Sequence, residues 1–336
     1  MFSATDTISG TGTQLQSLQI SYANGAGLNS PSTCPTWFIS VPGNAEFNQP
    51  GFCVSKYTMT YADADTPNSS NGDWNTVSYV AWKTPVSIPN KYSIADITQP
   101  QAITACASLG AGYHLITNNE WMTIARNIEQ QGGNWSTGIV GSGGLYRGIT
   151  GEGTVTATSL GCNTANSAGA SGISGRIYAV KPLSTDTTKF GSTKWADCDA
   201  KRQHKLSNGQ IAWDIAGNVW SHVNKGNTLD GTLFNDANSW KSDACSGVNN
   251  WASFYNNDGV AACTYSNEYT YANQWPKIPN LNATNGIGRI YSYNTASNVF
   301  LRGGGGDDGA YAGVFALYLD WAASAARRNV GFRCAK

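Results

Sequence analysis

Two stretches of this chain carry a full set of helix signals, and they lie only a few residues apart. In the first, Thr98 stands as an N-cap with Pro100 in the opening turn, Ala102, Ile103, Cys106 and Leu109 recur at helical spacing, and Gly110 follows as a stop. In the second, Asn118 stands as the cap and Trp121, Ile124, Ala125 and Ile128 form one apolar face. Helices this short bury a single stripe and need a sheet to pack on. Elsewhere the chain is rich in Gly, Ser, Thr and Asn and carries 12 Trp and 16 Tyr. That pattern favours a loop-rich α+β fold pinned by buried aromatics over a helical bundle.

Strand patterns flank these helices. Trp37 to Val41 and Phe52 to Thr60 read as strands, the second alternating bulky and polar residues. Residues 1–35 are polar and punctuated by glycine, which suits an arm or a few edge strands. Residues 36–336 are expected to form a single domain. From Gly132 to Gly175 apolar anchors are few and a long surface loop system is predicted. The glycine runs at 141–144 and 303–306 lack the Lys-Ser/Thr or strand-turn-helix setting of a phosphate loop, which argues against nucleotide binding.

Charged residues make up 12% of the chain and its formal net charge is zero, so it offers no broad field to hold a nucleic acid. There is neither a signal-peptide pattern nor an apolar run of the roughly 20 residues that crosses a bilayer, so membrane insertion is not expected. The eight cysteines include no C-x-x-C, which removes zinc-ribbon and thioredoxin readings. Cys34 with Cys53, and Cys245 with Cys263, are the pairings that would close short loops.

Four segments, in order, resemble the sulfatase-modifying-factor family, whose best-known member is the formylglycine-generating enzyme. Cys53 to Thr60 resembles its opening strand, and His114 to Arg126 its Glu-Trp helix. Trp213-Asp214-Ile215-Ala216-Gly217-Asn218-Val219-Trp220 is similar to its Gly-Asn-Val-Trp segment, and Gly331-Phe332-Arg333-Cys334 to its closing Gly-Phe-Arg. The resemblance implies a C-type-lectin-like scaffold with two helices on small antiparallel sheets. Within it, Trp121 and Trp220 are expected to act as anchors, Asn218 to hold a tight turn, and Glu120 and Arg126 to serve as a buried ion pair or cap.

The chemistry of that family does not carry over. Its copper-binding cysteine pair has no counterpart between Arg302 and Arg328, where the chain contains no cysteine. A related iron-dependent branch needs clustered histidines, whereas His114, His204 and His222 each stand alone. Ser221 replaces the acid that helps the family hold calcium. The cysteine that partners the final Cys in some members falls here at Ala125, so Cys334 needs another partner or is a free buried thiol. No enzyme activity and no cofactor are expected; an oxygen-dependent modifying enzyme would require an unforeseen metal site.

The C-terminal segment is similar to the variable proteins of diversity-generating retroelements, of the archaeal-virus type. Arg302-Gly303-Gly304, then Gly309-Ala310-Tyr311-Ala312-Gly313-Val314-Phe315-Ala316-Leu317-Tyr318-Leu319-Asp320, then Gly331-Phe332-Arg333-Cys334-Ala335 fit their fixed pattern. The resemblance implies that Asp307, Asp308, Tyr311, Tyr318 and Asp320 are diversified positions, with Gly306, Ala325 and Arg327 as further members. Trp321, Arg327 and Arg328 add residue types favoured at binding hot spots. Alternation turns Tyr318 and Asp320 away from Leu317 and Leu319, and Tyr gives large contact area at low entropy cost. The expectation is a ligand-binding protein whose site spans residues 302–331, displayed on a virion or cell surface toward a protein or glycan ligand. A virion structural protein whose lectin-like domain only packs is the other reading.

Overall fold

The computed structural model describes residues 29–68, 74–151, 159–162, 172–175, 195–224, 250–252, 276–278, 281–292, 299–319 and 321–336. Two sheets organise them. The first contains β1 (Phe38–Val41), β2 (Phe52–Ser55), β3 (His114–Leu115) and, from the far end of the chain, Cys334–Ala335. The second is built from β4 (Trp220–Val223), β5 (Asn250–Ala252), β6 (Ile290–Ser292), β7 (Phe300–Gly303), β8 (Gly313–Leu319) and β9 (Val330–Phe332), which makes Cys334–Ala335 β10. Strand order is β1-β2-β10-β3 in the first sheet and β5-β6-β8-β7-β4-β9 in the second. The first is antiparallel throughout. In the second, β6 with β8 and β4 with β9 run parallel, so the expectation of purely antiparallel sheets is corrected.

The structure is mixed α+β with small sheets and few helices. Helix α1 (Gln99–Ala107) begins as predicted at Thr98, whose side chain and that of Gln101 form a reciprocal capping box. Its inner face is Ala102, Ala105 and Cys106; Ile103, assigned to that face by spacing, is instead exposed. Helix α2 (Asn118–Glu129) is capped one residue earlier than predicted, by Thr117, with Glu120 closing the box. Asn118 is thereby freed for a tertiary bond. Trp121, Ile124, Ala125 and Ile128 are fully buried, as their spacing requires. A third helix, α3 (Trp195–Arg202), was not foreseen.

The largest apolar cluster reaches from Ile39 and Phe52 through α2 to Phe315, Leu317 and Ala335. A second surrounds α1 and includes Met59, Ile94, Leu115 and Phe332. The surface-loop expectation for 132–175 fails at Trp135, Leu145 and Ile149, which are buried. Trp135 is fixed by its indole N–H donating to Glu129 O at 2.9 Å. Three anchors spread over fifteen residues show no periodicity, which is why the segment reads as loop.

Polar groups are buried in pairs around the Gly-Asn-Val-Trp segment. Arg202 donates from Nε and Nη2 to the Asp214 carboxylate at 2.8 and 2.9 Å, and Ser174 Oγ adds a third bond at 2.8 Å. Arg333 donates to Ser55 O, Trp213 O and Asp214 O, stitching β2 to this turn. Asn218, at φ 68°, accepts from Gly172 N–H, so its amide holds a distant loop and not the expected local turn. Glu120 is a cap and also meets His114 at 2.9 Å, while Arg126 pairs with Glu46 and Glu129.

Cys34 is bonded to Cys53, as loop length predicted, and Cys162 to Cys198. Cys334 finds its partner in α1, at Cys106, so the free-thiol alternative is set aside. Cys245 and Cys263 lie outside the described residues. The Cys106–Cys334 bond joins α1 to β10 across 228 residues and restricts the unfolded chain accordingly. Replacing both cysteines by serine is expected to lower stability by about 2–4 kcal/mol, visible as a lower urea midpoint. An unchanged midpoint would show that the bond does not stabilise the fold.

A candidate ligand-binding face

The site is organised by β8, two of whose backbone carbonyls are bound by buried side chains. Arg302, fully buried on β7, donates from Nε and Nη2 to Asn118 Oδ1 at 3.0 and 2.7 Å and from Nη1 to Phe315 O at 3.1 Å. From α2, the Trp121 indole donates to Val314 O at 2.9 Å. Just beyond the β7 ladder the register shifts between Arg302 and Gly303. Gly303 sits at φ 91°, where a side-chain carbon would lie 2.7 Å from Ile215 O. The glycine run therefore lets the chain turn against the core, which is its role here in place of phosphate binding.

Along β8, Val314, Phe315, Leu317 and Leu319 are all buried. Ala316 is buried too, in a separate cluster with Trp220, Val299, Leu301 and Val330, so both faces of the strand are largely covered. Tyr318 is the side chain of β8 that is partly open to solvent. Its ring lies parallel to Tyr291 on β6, with centroids 4.7 Å apart. Trp321 meets it edge-on at 5.3 Å, and Trp220 on β4 lies 5.6 Å away. Tyr318 is thus half-buried in an aromatic row, where the alternation pattern had placed a freely exposed residue.

Charged groups flank this row. Arg327 lies over the Trp321 ring at 5.2 Å. Arg289, two residues before Tyr291 on the run into β6, lies over the Tyr311 ring at 4.6 Å. Asp308, whose main-chain oxygen accepts from Tyr311 N–H at 2.9 Å, accepts at its carboxylate from Gly305 N–H and from the Trp220 side chain. Trp74, Trp220 and Asp308 all close on Gly305, each within 3.2 Å of where its side chain would begin.

The candidate positions separate as follows. Asp307 and Arg327 are exposed, and Asp308, Tyr311, Tyr318, Trp321 and Ala325 are half-buried. Gly306 is buried, which corrects its assignment as an accessible position. Asp320 lies outside the described residues. Asp308, Tyr318, Trp321 and Arg327 are joined by direct contacts through Trp220, and Tyr311 adjoins through Arg289. Sequence reasoning missed Trp74, Tyr291 and Arg289, and read Trp220 as an anchor alone. Only the alternating Ile290-Tyr291-Ser292 pattern could have signalled a tyrosine facing this row.

The histidines are occupied elsewhere. His204 donates from Nε2 to Tyr146 O at 2.8 Å and His222 from Nε2 to Ile97 O at 3.0 Å, and burial pulls the pKa of both down to about 4. Burial also opposes the charged form of His114, but its bond to Glu120 outweighs this and holds it up at about 9. Among the described residues no cluster of three His, Cys, Asp or Glu side chains forms a metal site. No described helix is long and apolar enough to cross a membrane.

No family model matches this chain, and no curated protein matches it. Among solved structures the chain is similar to Treponema denticola variable protein 1, at 12% identity, with 90% of this chain and 99% of that chain covered and a TM-score of 0.29.

Burial raises the Asp308 carboxyl to about 6, with Asp307 adding to the rise and the Gly305 and Trp220 bonds opposing it. A carboxyl raised on folding favours the native state while protonated, so its contribution is full below the unfolded value of 3.8 and is lost as pH rises through about 6. Asp308→Asn keeps an acceptor without the charge. It is expected to melt higher than the parent at pH 7 and nearly level with it at pH 4, as followed by thermal scans; a lower melting temperature at pH 7 would refute this account of Asp308.

Proposed function

We propose that this chain is a diversified ligand-binding protein on a C-type-lectin-like scaffold of the formylglycine-generating type. In this reading residues 36–336 act as one unit and the face around Tyr318 carries the ligand site. The observation that carries it is the way β8 is secured. Its carbonyls at Val314 and Phe315 are bound by Trp121 and Arg302, and its core contacts come from Val314, Phe315, Leu317 and Leu319. On this reading Asp307, Tyr311 and Tyr318, none of which makes those fixed contacts, are positions whose identity can change. The C-terminal motif, similar to those of retroelement variable proteins, supports the same reading. A protein or glycan on a host or target cell is the ligand class, met from a virion or cell surface.

Binding fits these residues better than catalysis. His204 and His222 are buried and each donates one ring nitrogen to a carbonyl, His114 bonds a cap residue, and the described cysteines form disulfides. Oxidation of a peptide cysteine in the presence of copper and oxygen is not expected.

Substituting Asp307, Asp308, Tyr311 and Tyr318 together is expected to cost less than about 2 kcal/mol, in keeping with surface changes, while altering the ligands selected from a displayed library. Phe315→Ala is expected to cost about 3–5 kcal/mol because the ring is fully buried. Unfolding of the patch variant, or a library that yields no binders, would overturn the reading.

A further inference from the structure

We propose that Arg327, seated on the Trp321 ring, takes the carboxylate of an aspartate or glutamate side chain on a partner protein. The inference rests on the reading that this face is the ligand surface, and it adds the chemistry of what binds there.

Two observations converge on it. First, the guanidinium is open and has no anion beside it. Arg327 is exposed, and its charge lies over the Trp321 ring at 5.2 Å without an ion pair among the described residues. Asp96 reaches the Arg327 carbonyl through its own N–H at 3.0 Å, yet its carboxylate accepts from Ser78 Oγ at 3.0 Å and forms no ion pair with the guanidinium. Arg328, next in the chain, is exposed as well and is likewise without an ion pair among the described residues.

Second, the segment that carries these arginines is tied down. The Trp321 carbonyl accepts from Val299 N–H at 2.8 Å, that of Arg327 from Val330 N–H at 3.1 Å as well as from Asp96, and that of Arg328 from Thr76 Oγ1 at 2.9 Å. Trp321 itself is half-buried and edge-on to Tyr318. The cation therefore rests on a backed ring, and a partner that meets it has less side-chain freedom to freeze.

A guanidinium that stacks through its face keeps the N–H donors in its plane for an acceptor, and a carboxylate can take them two at a time. Charge complementarity selects an anion over a neutral group. A sialylated glycan also carries a carboxylate, but its sugar ring gains from an open aromatic face. Here one face of Trp321 lies under Arg327, and the Tyr318 ring lies parallel to Tyr291. An acidic side chain on a narrow stem needs no such face. Arg327 is one of the candidate diversified positions, so the preference belongs to this version of the surface.

The test titrates the full chain with N-acetyl-glutamate amide, with the neutral N-acetyl-glutamine amide, and with the methyl glycoside of N-acetylneuraminic acid. Binding is followed by the indole ¹H–¹⁵N signal of Trp321, assigned by its loss in Trp321→Phe. The glutamate probe is expected to bind about threefold more tightly than the glutamine probe at low salt, as suits an exposed pair, with the preference shrinking as ionic strength rises. In Arg327→Gln the two probes should bind alike. Lys205→Gln removes an exposed cation in a separate hairpin and should keep the preference. Equal binding of the two probes to the parent, tighter binding of the sialoside, or an undiminished preference in Arg327→Gln would each overturn the inference. A random peptide library panned on the chain separates this inference from the reading beneath it. Binders without enrichment of aspartate and glutamate would sink the inference and leave the binding reading standing. A library that yields no binder would remove both.

Discussion

The structure depends on one buried guanidinium. Arg302 bridges the first residue of α2, the strand it stands on and the carbonyl of Phe315, and it does so with no exposure to water. A buried charge of this kind is costly unless each of its donors is met, and here Asn118 and a main-chain oxygen meet them. The arrangement depends on backbone atoms of β8 and not on its side chains. Trp121 repeats the device one residue earlier, at Val314. Two bonds to carbonyls thus help fix the position of β8.

How much of this could be read in the sequence varies by the range of the interaction. Thr98, Pro100 and Gln101 declare the start of α1 locally, and the structure agrees. At α2 both Thr117 and Asn118 are good caps, and a local reading could not know that Asn118 is claimed by Arg302, 184 residues away. The Cys34–Cys53 bond follows from a short loop, whereas the partner of Cys334 lies 228 residues upstream and leaves no spacing signal. Parallel pairing of β6 with β8 is equally hidden, because alternation looks the same in either direction.

The candidate site was legible for its own segment and not for its surroundings. Burial of Phe315, Leu317 and Leu319 followed from alternation. That Tyr318 would be flanked by Tyr291 and Trp220 did not, since those residues arrive from other strands of the sheet. Gly306 was misjudged for a related reason: a glycine next to two aspartates looks exposed until the fold covers it.

The place of β10 has a consequence for chains that end early or change reading frame. It follows residues 302–331 in sequence, yet it occupies an interior position of the first sheet, between β2 and β3, and carries the cysteine that meets α1. A premature stop or shifted reading frame anywhere in 302–331 removes that strand. The sheet is then left with a gap at its centre, Arg333 is lost from the turn at Asp214, and Cys106 has no partner. Chains cut short or shifted in frame are thus expected to fail to close, whereas an in-frame substitution at an exposed position such as Asp307 leaves β10 in place. The fold itself would then act as a frame check on every product of the gene.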